Sequence, residues 1–218
     1  MLWRVAIVWA MASLSFGQQP AAGKLLIARE SLTDANFARS VILIVQYDGE
    51  KGAMGLILNR RTTIPVSRLF PKSKKADPVY LGGPVETTTA QAVGRLATKA
   101  DQVTHVLGDV YATGNKEFIE KAIAAGARPS RFRIYVGYAG WGAGQLEGEI
   151  ELGAWSVLKG RVESMFDDDP DTLWPRLTKE AEREAEMQIA ELRLVLPPPQ
   201  LAQRLLLRPD LVQRIALK

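Results

Sequence analysis

Short aliphatic and β-branched runs separated by turn-forming residues restrict the fold of this chain more than any other feature. Such runs predict strands, because branched side chains pack well on a pleated surface. The residues between the second and third runs, Asp48, Gly49, Glu50 and Lys51, predict a hairpin turn. The predicted strands cover residues 24–28, 41–47, 52–59, 78–83, 91–96, 104–107, 131–138 and 155–158.

Helical periodicity is clear in residues 115–125, where the apolar side chains fall on one face and Gly126 follows as a natural stop. Residues 139–144 are rich in glycine and predict a turn that leads into residues 145–152. Strands and helices therefore follow one another without a regular strand-helix repeat. This order favours an α+β fold over a doubly wound parallel sheet.

A second periodic stripe begins at Asp171 and predicts a long amphipathic helix. The helix is expected to stop at the three prolines 197–199, which cannot continue it. Its apolar positions are Leu173, Leu177, Ala181, Ala185, Ile189, Leu192 and Leu196.

The chain then ends in a leucine-rich tail with four basic residues, Arg204, Arg208, Arg214 and Lys218. This tail either packs on its own domain or a second subunit, or contacts a membrane surface or a partner.

The first 17 residues have the pattern of a secretory signal peptide. Arg4 supplies a positive charge, and residues 5–16 form an apolar run. That run is too short to span a bilayer as a helix, which needs about 20 residues. We expect cleavage after Gly17 and a periplasmic or secreted protein that starts at Gln18. An uncleaved membrane anchor, or a misassigned start codon on a cytoplasmic protein, is the alternative.

Composition excludes several kinds of chemistry. The chain has no cysteine and one histidine, His105, so thiolate chemistry is ruled out and a catalytic triad would need His105 as its base. The net charge of +4 comes from 28 basic and 24 acidic residues spread along the chain. A protein that binds nucleic acid usually concentrates its basic residues on one stripe, so nucleic-acid binding is disfavoured.

Neither the glycines nor the acidic run at 167–171 has the residue spacing of a nucleotide-binding motif or a calcium-binding loop. No dinucleotide fingerprint or phosphate-binding loop is present, and glycines at 52, 55, 82 and 83 suit bulges and sheet corners as well as an anion nest. The carboxylates of the acidic run suit a helix start beside Pro170 better than a divalent cation. We therefore predict neither a metal nor a cofactor.

Several blocks of the sequence resemble the AlgH/YqgE family, and the run at 137–147 is the most specific of them. The resemblance implies one α+β domain, over residues 18–177, whose mixed sheet splits and curls into a pseudo-barrel flanked by helices. Residues 178–218 would form a helical extension that is not typical of the family. The resemblance implies no reaction. The blocks are residues 26–28 with 37–42, residues 52–60, and residues 82–85 with 137–147.

The polar residues and the tryptophan inside these blocks are our candidates for a ligand or partner surface. The same residue types can instead pair with one another to fix the fold, and a tryptophan in a tight turn can plug the end of a sheet. The candidates are Arg39, Asn59, Arg60, Glu86, Trp141, Gln145 and Glu147.

Three functions are consistent with the sequence. The first is a non-catalytic binding or interaction protein of the cell envelope, with an unknown protein or small molecule as its partner. The second is a cytosolic transcriptional regulator, as the label on one branch of the resembled family suggests. The third is an enzyme that uses carboxylates and arginine in a cleft near Trp141. A deep pocket that joins Arg39, Glu86, Trp141 and Glu147 would favour the enzyme.

Overall fold

This computed structural model describes residues 19–97 and 100–195, which contain ten strands and five helices. The predicted strands and the predicted helix at 115–125 are all present, and the hairpin at 48–51 is confirmed. The strands are β1 (Lys24–Ala28), β2 (Val41–Asp48), β3 (Gly52–Ile57), β4 (Arg61–Pro65), β5 (Pro78–Leu81), β6 (Val85–Arg95), β7 (Thr104–Leu107), β8 (Val110–Thr113), β9 (Phe132–Trp141) and β10 (Trp155–Lys159). The helices are α1 (Val66–Leu69), α2 (Lys116–Ala124), α3 (Gln145–Glu151), α4 (Val162–Met165) and α5 (Pro170–Val195).

The strands form one mixed sheet in the order β10-β1-β2-β3-β9-β6-β8-β7, with β5 beside β9 and β4 beside β5. Only the β5–β9 pair is parallel among the described strands. Strand β9 joins the two parts of the sheet, because its last residues pair with β3 and its earlier residues pair with β6. This is where the predicted split lies.

The sheet curls so that its edge strand β7 returns to β2. The Gln46 amide donates to the Thr104 hydroxyl across this junction at 3.4 Å. Gly23 packs so tightly there that a Cβ on it would lie 2.7 Å from the Val106 carbonyl oxygen. The predicted α+β fold with a split, curled sheet flanked by helices is confirmed, and the curl stays open between β7 and β10.

Strands β1 and β2 lie in the middle of the core and are buried on both faces of the sheet. Their inner faces pack with β7, β8 and the start of α5, through residues such as Val106, Val110 and Leu173. Their outer faces pack against α3 and two tryptophans, Trp141 and Trp155. A third cluster places α1 and α2 on β5, β6 and β9. Burial of each large aliphatic side chain stabilises the fold by about 1.5 to 3 kcal/mol.

Helix α5 follows the predicted amphipathic stripe. All six stripe residues from Leu173 to Leu192 are buried, whereas Leu196, the prolines 197–199 and the basic tail lie outside the described residues. The helix is continuous across residues 177 and 178, where the sequence analysis divides the domain from its extension. The Trp174 indole ties the helix to β1 by donating to the Ala28 carbonyl at 2.8 Å. Within the described segments, none of the helices combines the length and apolarity needed to cross a bilayer.

The predicted glycine-rich turn at 139–144 is wrong at its start. Ala139, Gly140 and Trp141 belong to β9, because they pair with β3 from Gly55 to Ala53. The turn is therefore confined to residues 142–144, and α3 follows it. Sequence analysis also missed β4, β8, α1 and α4, and it began β6 at 91 instead of Val85.

Candidate functional site

Trp141, the aromatic candidate, is part of a packed cluster on the outer face of the sheet. Its side chain is 6% exposed. The Phe37 ring stacks on it with a centroid separation of 6.2 Å, and the Trp155 ring meets it edge-on at 6.1 Å. A ligand could stack on this ring only if Phe37 moved away. Trp141 thus closes this end of the sheet, which was the alternative interpretation of its position.

Glu149 on α3 holds both tryptophans in place. One of its carboxylate oxygens accepts from the Trp141 indole at 2.9 Å and from the Trp155 indole at 2.8 Å. Its other oxygen accepts from the Gln145 side chain at 3.0 Å, and Gln145 in turn accepts from the backbone amide of Gly142. Gln145 therefore ties the start of α3 to the glycine turn. Sequence analysis did not single out Glu149, although it lies one helical turn beyond Gln145.

Glu147, another candidate, pairs with Tyr47 at the end of β2. The tyrosine hydroxyl donates to the Glu147 carboxylate at 2.5 Å. This hydrogen bond, with a smaller contribution from burial, raises the pKa of Tyr47 to about 12. The pair fastens α3 to the β2–β3 hairpin, so this carboxylate is engaged with the fold.

Asn59 and Arg60 bind the loop that connects β1 to β2. The Asn59 side chain accepts from the Val41 backbone amide and donates to the Arg39 carbonyl, each at 2.9 Å. The Arg60 guanidinium donates to the carbonyls of Ala35 and Ala38 at 3.3 and 3.5 Å. Burial lowers the pKa of Arg60, and the nearby Asp34 carboxylate opposes that shift.

Arg39 and Glu86 form no hydrogen bond or ion pair with the tryptophan cluster in the described part of the chain. The Arg39 guanidinium sits over the ring of Trp174 on α5, 5.6 Å from its centroid. Glu86 is exposed at the start of β6, and both residues have positive φ angles, 56° and 47°. The seven candidates therefore fall into groups that no hydrogen bond or ion pair between side chains joins in the described residues, and none of them lines the cleft described below.

Glycines of residues 82–85 and 137–147, which form one of the family blocks, cross backbone to backbone. A Cβ at Gly82 would lie 2.3 Å from the Gly137 carbonyl oxygen, and one at Gly137 would lie 2.4 Å from the Gly83 carbonyl oxygen. Residues 86–89 of β6 face the single residue Gly137, which has a φ of 68°. This crossing needs glycine because a side chain would collide with backbone atoms. The glycines of these motifs therefore form a corner of the sheet.

His105 and the start of the helix beside the acidic run make local structural contacts. The His105 ring contacts the Gly108 carbonyl at 3.0 Å and the edge of Tyr111 on the exposed β7–β8 hairpin. Asp169 accepts from Thr172 in the first turn of α5 at 2.7 Å, as expected of a helix start. In the described part of the chain, no three His, Cys, Asp or Glu side chains are placed to hold a metal ion.

An open cleft of about 670 Å³ lies on another side of the molecule, between β6, the turn before β9, and α4 with the start of α5. Its two arginines are each held by a carboxylate: Arg95 by Asp109 at 2.8 Å and Arg176 by Asp167 at 2.6 Å. Sequence analysis missed this cleft. Its lining residues are Arg95, Ser130, Val162, Glu163, Phe166, Asp167, Asp168, Asp169, Thr172 and Arg176.

The lining of the cleft has a surplus of negative charge, with four carboxylates against two guanidinium groups. The whole chain carries the opposite sign, with a net charge of +4. Glu163 and Asp168 are exposed, and neither forms a hydrogen bond or ion pair with another described residue. Glu163 lies near Arg161, whose pKa is raised chiefly by its hydrogen bond with Glu180 and in part by the Glu163 charge. These two carboxylates remain available to a partner.

Comparison with known proteins places this fold in a family. Residues 25–186 match the sequence profile described as AlgH-like, DUF179. This chain belongs to the AlgH-like family. The resemblance found in the sequence blocks is thereby confirmed over most of the domain.

Relatives of this AlgH-like chain are similar over most of their length. UPF0301 proteins of Chlorobaculum parvum and Streptomyces avermitilis are 36% and 33% identical to it, over 72% and 76% of this chain and 85% and 89% of theirs. The solution structure of the AlgH protein from Pseudomonas aeruginosa is 30% identical, with a TM-score of 0.61, over 76% of this chain and 90% of that chain. A crystal structure from Corynebacterium diphtheriae is 27% identical, with a TM-score of 0.63, over 75% and 88%. These names state no activity.

Proposed function

We propose that this AlgH-like protein is a non-catalytic binding protein of the cell envelope, and that its binding face is the cleft between β6 and α5. The proposal rests on a contrast between the region near Trp141 and the cleft. The polar groups near Trp141 are bonded to one another, whereas Glu163 and Asp168 border an open volume of about 670 Å³. Sites that bind ligands usually have volumes of about 300 to 1,000 Å³.

The arrangement of charged side chains in the cleft favours binding of a partner over catalysis of a reaction. Arg95 and Arg176 are fixed by their carboxylate partners, so they form a rigid frame. Phe166 and Val162 add apolar surface beside the free carboxylates. A partner that offers a positively charged group on an apolar stem fits this lining best, because it can satisfy both features.

The envelope location rests on the predicted signal peptide at residues 1–17, which lies outside the described residues. It is tested by fractionation of a bacterium that expresses the full-length gene, followed by mass measurement of the recovered protein. We expect a chain that begins at Gln18 in the periplasmic or secreted fraction. An intact Met1 on cytosolic protein would remove the envelope part of the proposal and favour gene regulation.

Charge reversal tests the binding face separately from the location. Glu163→Lys combined with Asp168→Lys changes only exposed cleft residues, and Glu50→Lys combined with Asp101→Lys makes the same charge change elsewhere on the surface. We expect proteins or small molecules that co-purify with the wild type at low salt to be lost from the cleft variant and retained by the control. Equal retention by both variants would show that the cleft is not the binding face.

The other two functions have less support from the geometry. A pocket shared by Arg39, Glu86, Trp141 and Glu147 would have favoured the enzyme, and none of these residues lines the cleft. The regulatory hypothesis requires binding to phosphates, which the acidic surplus of the cleft would repel. DNA binding that weakens steeply with salt would restore it.

A further inference from the structure

A buried arginine, Arg133, lies on the inner face of the curled sheet. It is 4% exposed and stands on β9 beside Tyr135, which faces the same way because side chains alternate along a strand. The Arg133 guanidinium donates to the carbonyls of Pro129 at 3.2 Å and Asp167 at 2.5 Å. It also lies over the Tyr80 ring, 5.0 Å from the centroid.

The charge of Arg133 has no ionic partner among the described residues. Asp167 offers Arg133 only its backbone carbonyl, because its carboxylate pairs with Arg176. Carbonyl dipoles and a tyrosine ring therefore compensate the guanidinium only in part. An uncompensated buried charge costs several kcal/mol, so a negative partner at this place would stabilise the fold considerably.

Hydrogen-bond donors also outnumber acceptors around this guanidinium. The Nη1 atom of Arg133 and the hydroxyl of Tyr135 are buried, and neither has a hydrogen-bond partner within the described structure. The two groups share the Tyr80 ring as a neighbour, because the guanidinium lies 5.0 Å and the Tyr135 ring 5.5 Å from its centroid. Burial raises the pKa of Tyr135, whereas the charge of Arg133 and its contact with the phenol oxygen lower it in part. Three donor hydrogens thus face one acceptor, the tyrosine oxygen. A species that only accepts hydrogen bonds would satisfy them.

We propose that Arg133 Nη1 and the Tyr135 hydroxyl bind a small monovalent anion of halide size on the inner face of the sheet. The anion neutralises the buried guanidinium and accepts from both donors. Because the same guanidinium holds the Asp167 carbonyl, the anion also stabilises the wall of the cleft. The inference rests on Arg133 and Tyr135 alone and does not depend on the proposed function.

Diffraction from crystals of the full-length chain grown in sodium bromide tests the site directly. Bromide gives an anomalous signal that water does not. We expect an anomalous peak in contact with Arg133 Nη1 and the Tyr135 hydroxyl. A water molecule at that position without anomalous signal would overturn the proposal.

Thermal unfolding in solution provides the second test. Chloride is titrated against gluconate at constant ionic strength, because gluconate is a much larger anion than chloride. The Tm of the wild type should rise with chloride, as it does for any ligand that binds the folded state. Tyr135→Phe removes one donor and keeps the charge, so it should need about tenfold more chloride for the same effect.

Matched variants separate the site from general salt effects. Arg131→Met removes an exposed arginine two residues away on the approach to β9, and it should respond to chloride as the wild type does. Arg133→Met should lose the response to chloride. If Arg133→Met does not fold, Tyr135→Phe provides the test instead. A wild-type Tm that is the same in chloride and gluconate, or an unchanged response in Tyr135→Phe, would overturn the proposal.

Discussion

Glu149 shows how one carboxylate organises the region around the candidate tryptophan. Two indole groups and one amide donate to it, and all three donors come from segments that the carboxylate holds together. A buried donor left without its acceptor costs about 1 to 3 kcal/mol. The packing of Trp141 and Trp155 is therefore controlled by a residue that looks ordinary in the sequence.

Replacement of Glu149 should destabilise the protein. In Glu149→Ala both indole groups lose their acceptor, and we expect the free energy of unfolding to fall by about 2 to 4 kcal/mol. Urea unfolding followed by tryptophan fluorescence measures this change. Glu151→Ala, an exposed change on the same helix, should have an effect within about 0.5 kcal/mol. Equal effects of the two substitutions would show that Glu149 does not hold the tryptophans.

Tyr47 gives a prediction for alkaline pH. Its pKa is about 12 in the folded protein and near 10.0 without its partners. The folded state therefore binds the phenol proton more tightly, so this stabilisation is complete below pH 10.0 and is lost as the pH rises towards 12. Stability measured across this window should fall more steeply in the wild type than in Tyr47→Phe.

The partner of Tyr47 can be tested by the same titration. Glu147→Gln removes the charge that accepts the hydrogen bond, so the pKa of Tyr47 should move back towards 10.0 in this variant. The ultraviolet absorbance of tyrosinate follows the change. An unaltered pKa would mean that the contact with Glu147 is not formed in solution.

Single residues were predictable from the sequence only where their local pattern decides their role. Trp141 stands between glycines in a specific block, so it could be recognised as important. Its partner Glu149 could not, because the contact depends on how α3 packs on β9 and β10. The pairing of Tyr47 with Glu147 likewise joins residues that are far apart in the chain.

At the scale of structural elements, the crossing of the β5–β6 connection over β9 imposes the strictest steric limits on its residues. Gly82, Gly83 and Gly137 bring two backbones together without room for a Cβ. The crossing sets the angle between the two parts of the sheet, because β9 pairs with β6 on one side of it and with β3 on the other.

Gly137→Ala should be among the most damaging single substitutions in the sheet. Its φ of 68° costs alanine about 1 to 2 kcal/mol, and the new Cβ would lie 2.4 Å from the Gly83 carbonyl oxygen. We expect a total loss above about 3 kcal/mol in the free energy of unfolding. Gly126→Ala, with a φ of 82° and no atom within 4 Å, should cost only the backbone strain. Similar losses at both positions would contradict the tight crossing.

Elements with strong local signals were predicted well. Strands β1 and β7 match their predicted bounds, because aliphatic or alternating runs define both. Strand β4 was missed because its residues are polar or exposed, and its only partner in the sheet is β5. The start of β6 was missed because its first residues are exposed and polar, so they lack the apolar pattern of a buried strand.

At the scale of the whole molecule, the cleft joins segments that no local pattern connects. Arg95 ends β6, whereas Arg176 lies on α5, and the curl of the sheet brings them to one site. The sequence marked the acidic run at 167–169 as a helix start, which it is, but its second role as a wall of the cleft depends on tertiary packing. The fold was therefore more predictable than the proposed binding face.

The central claim is that partners bind at the cleft and not at the turn beside Trp141. A photo-crosslinking amino acid placed at Asp168 or at Gln145, both exposed, compares these two surfaces in living cells. We predict crosslinked adducts from position 168 that disappear when Glu163 is changed to Lys, and no adducts from position 145. Adducts from position 145 alone, or from neither position, would contradict the account.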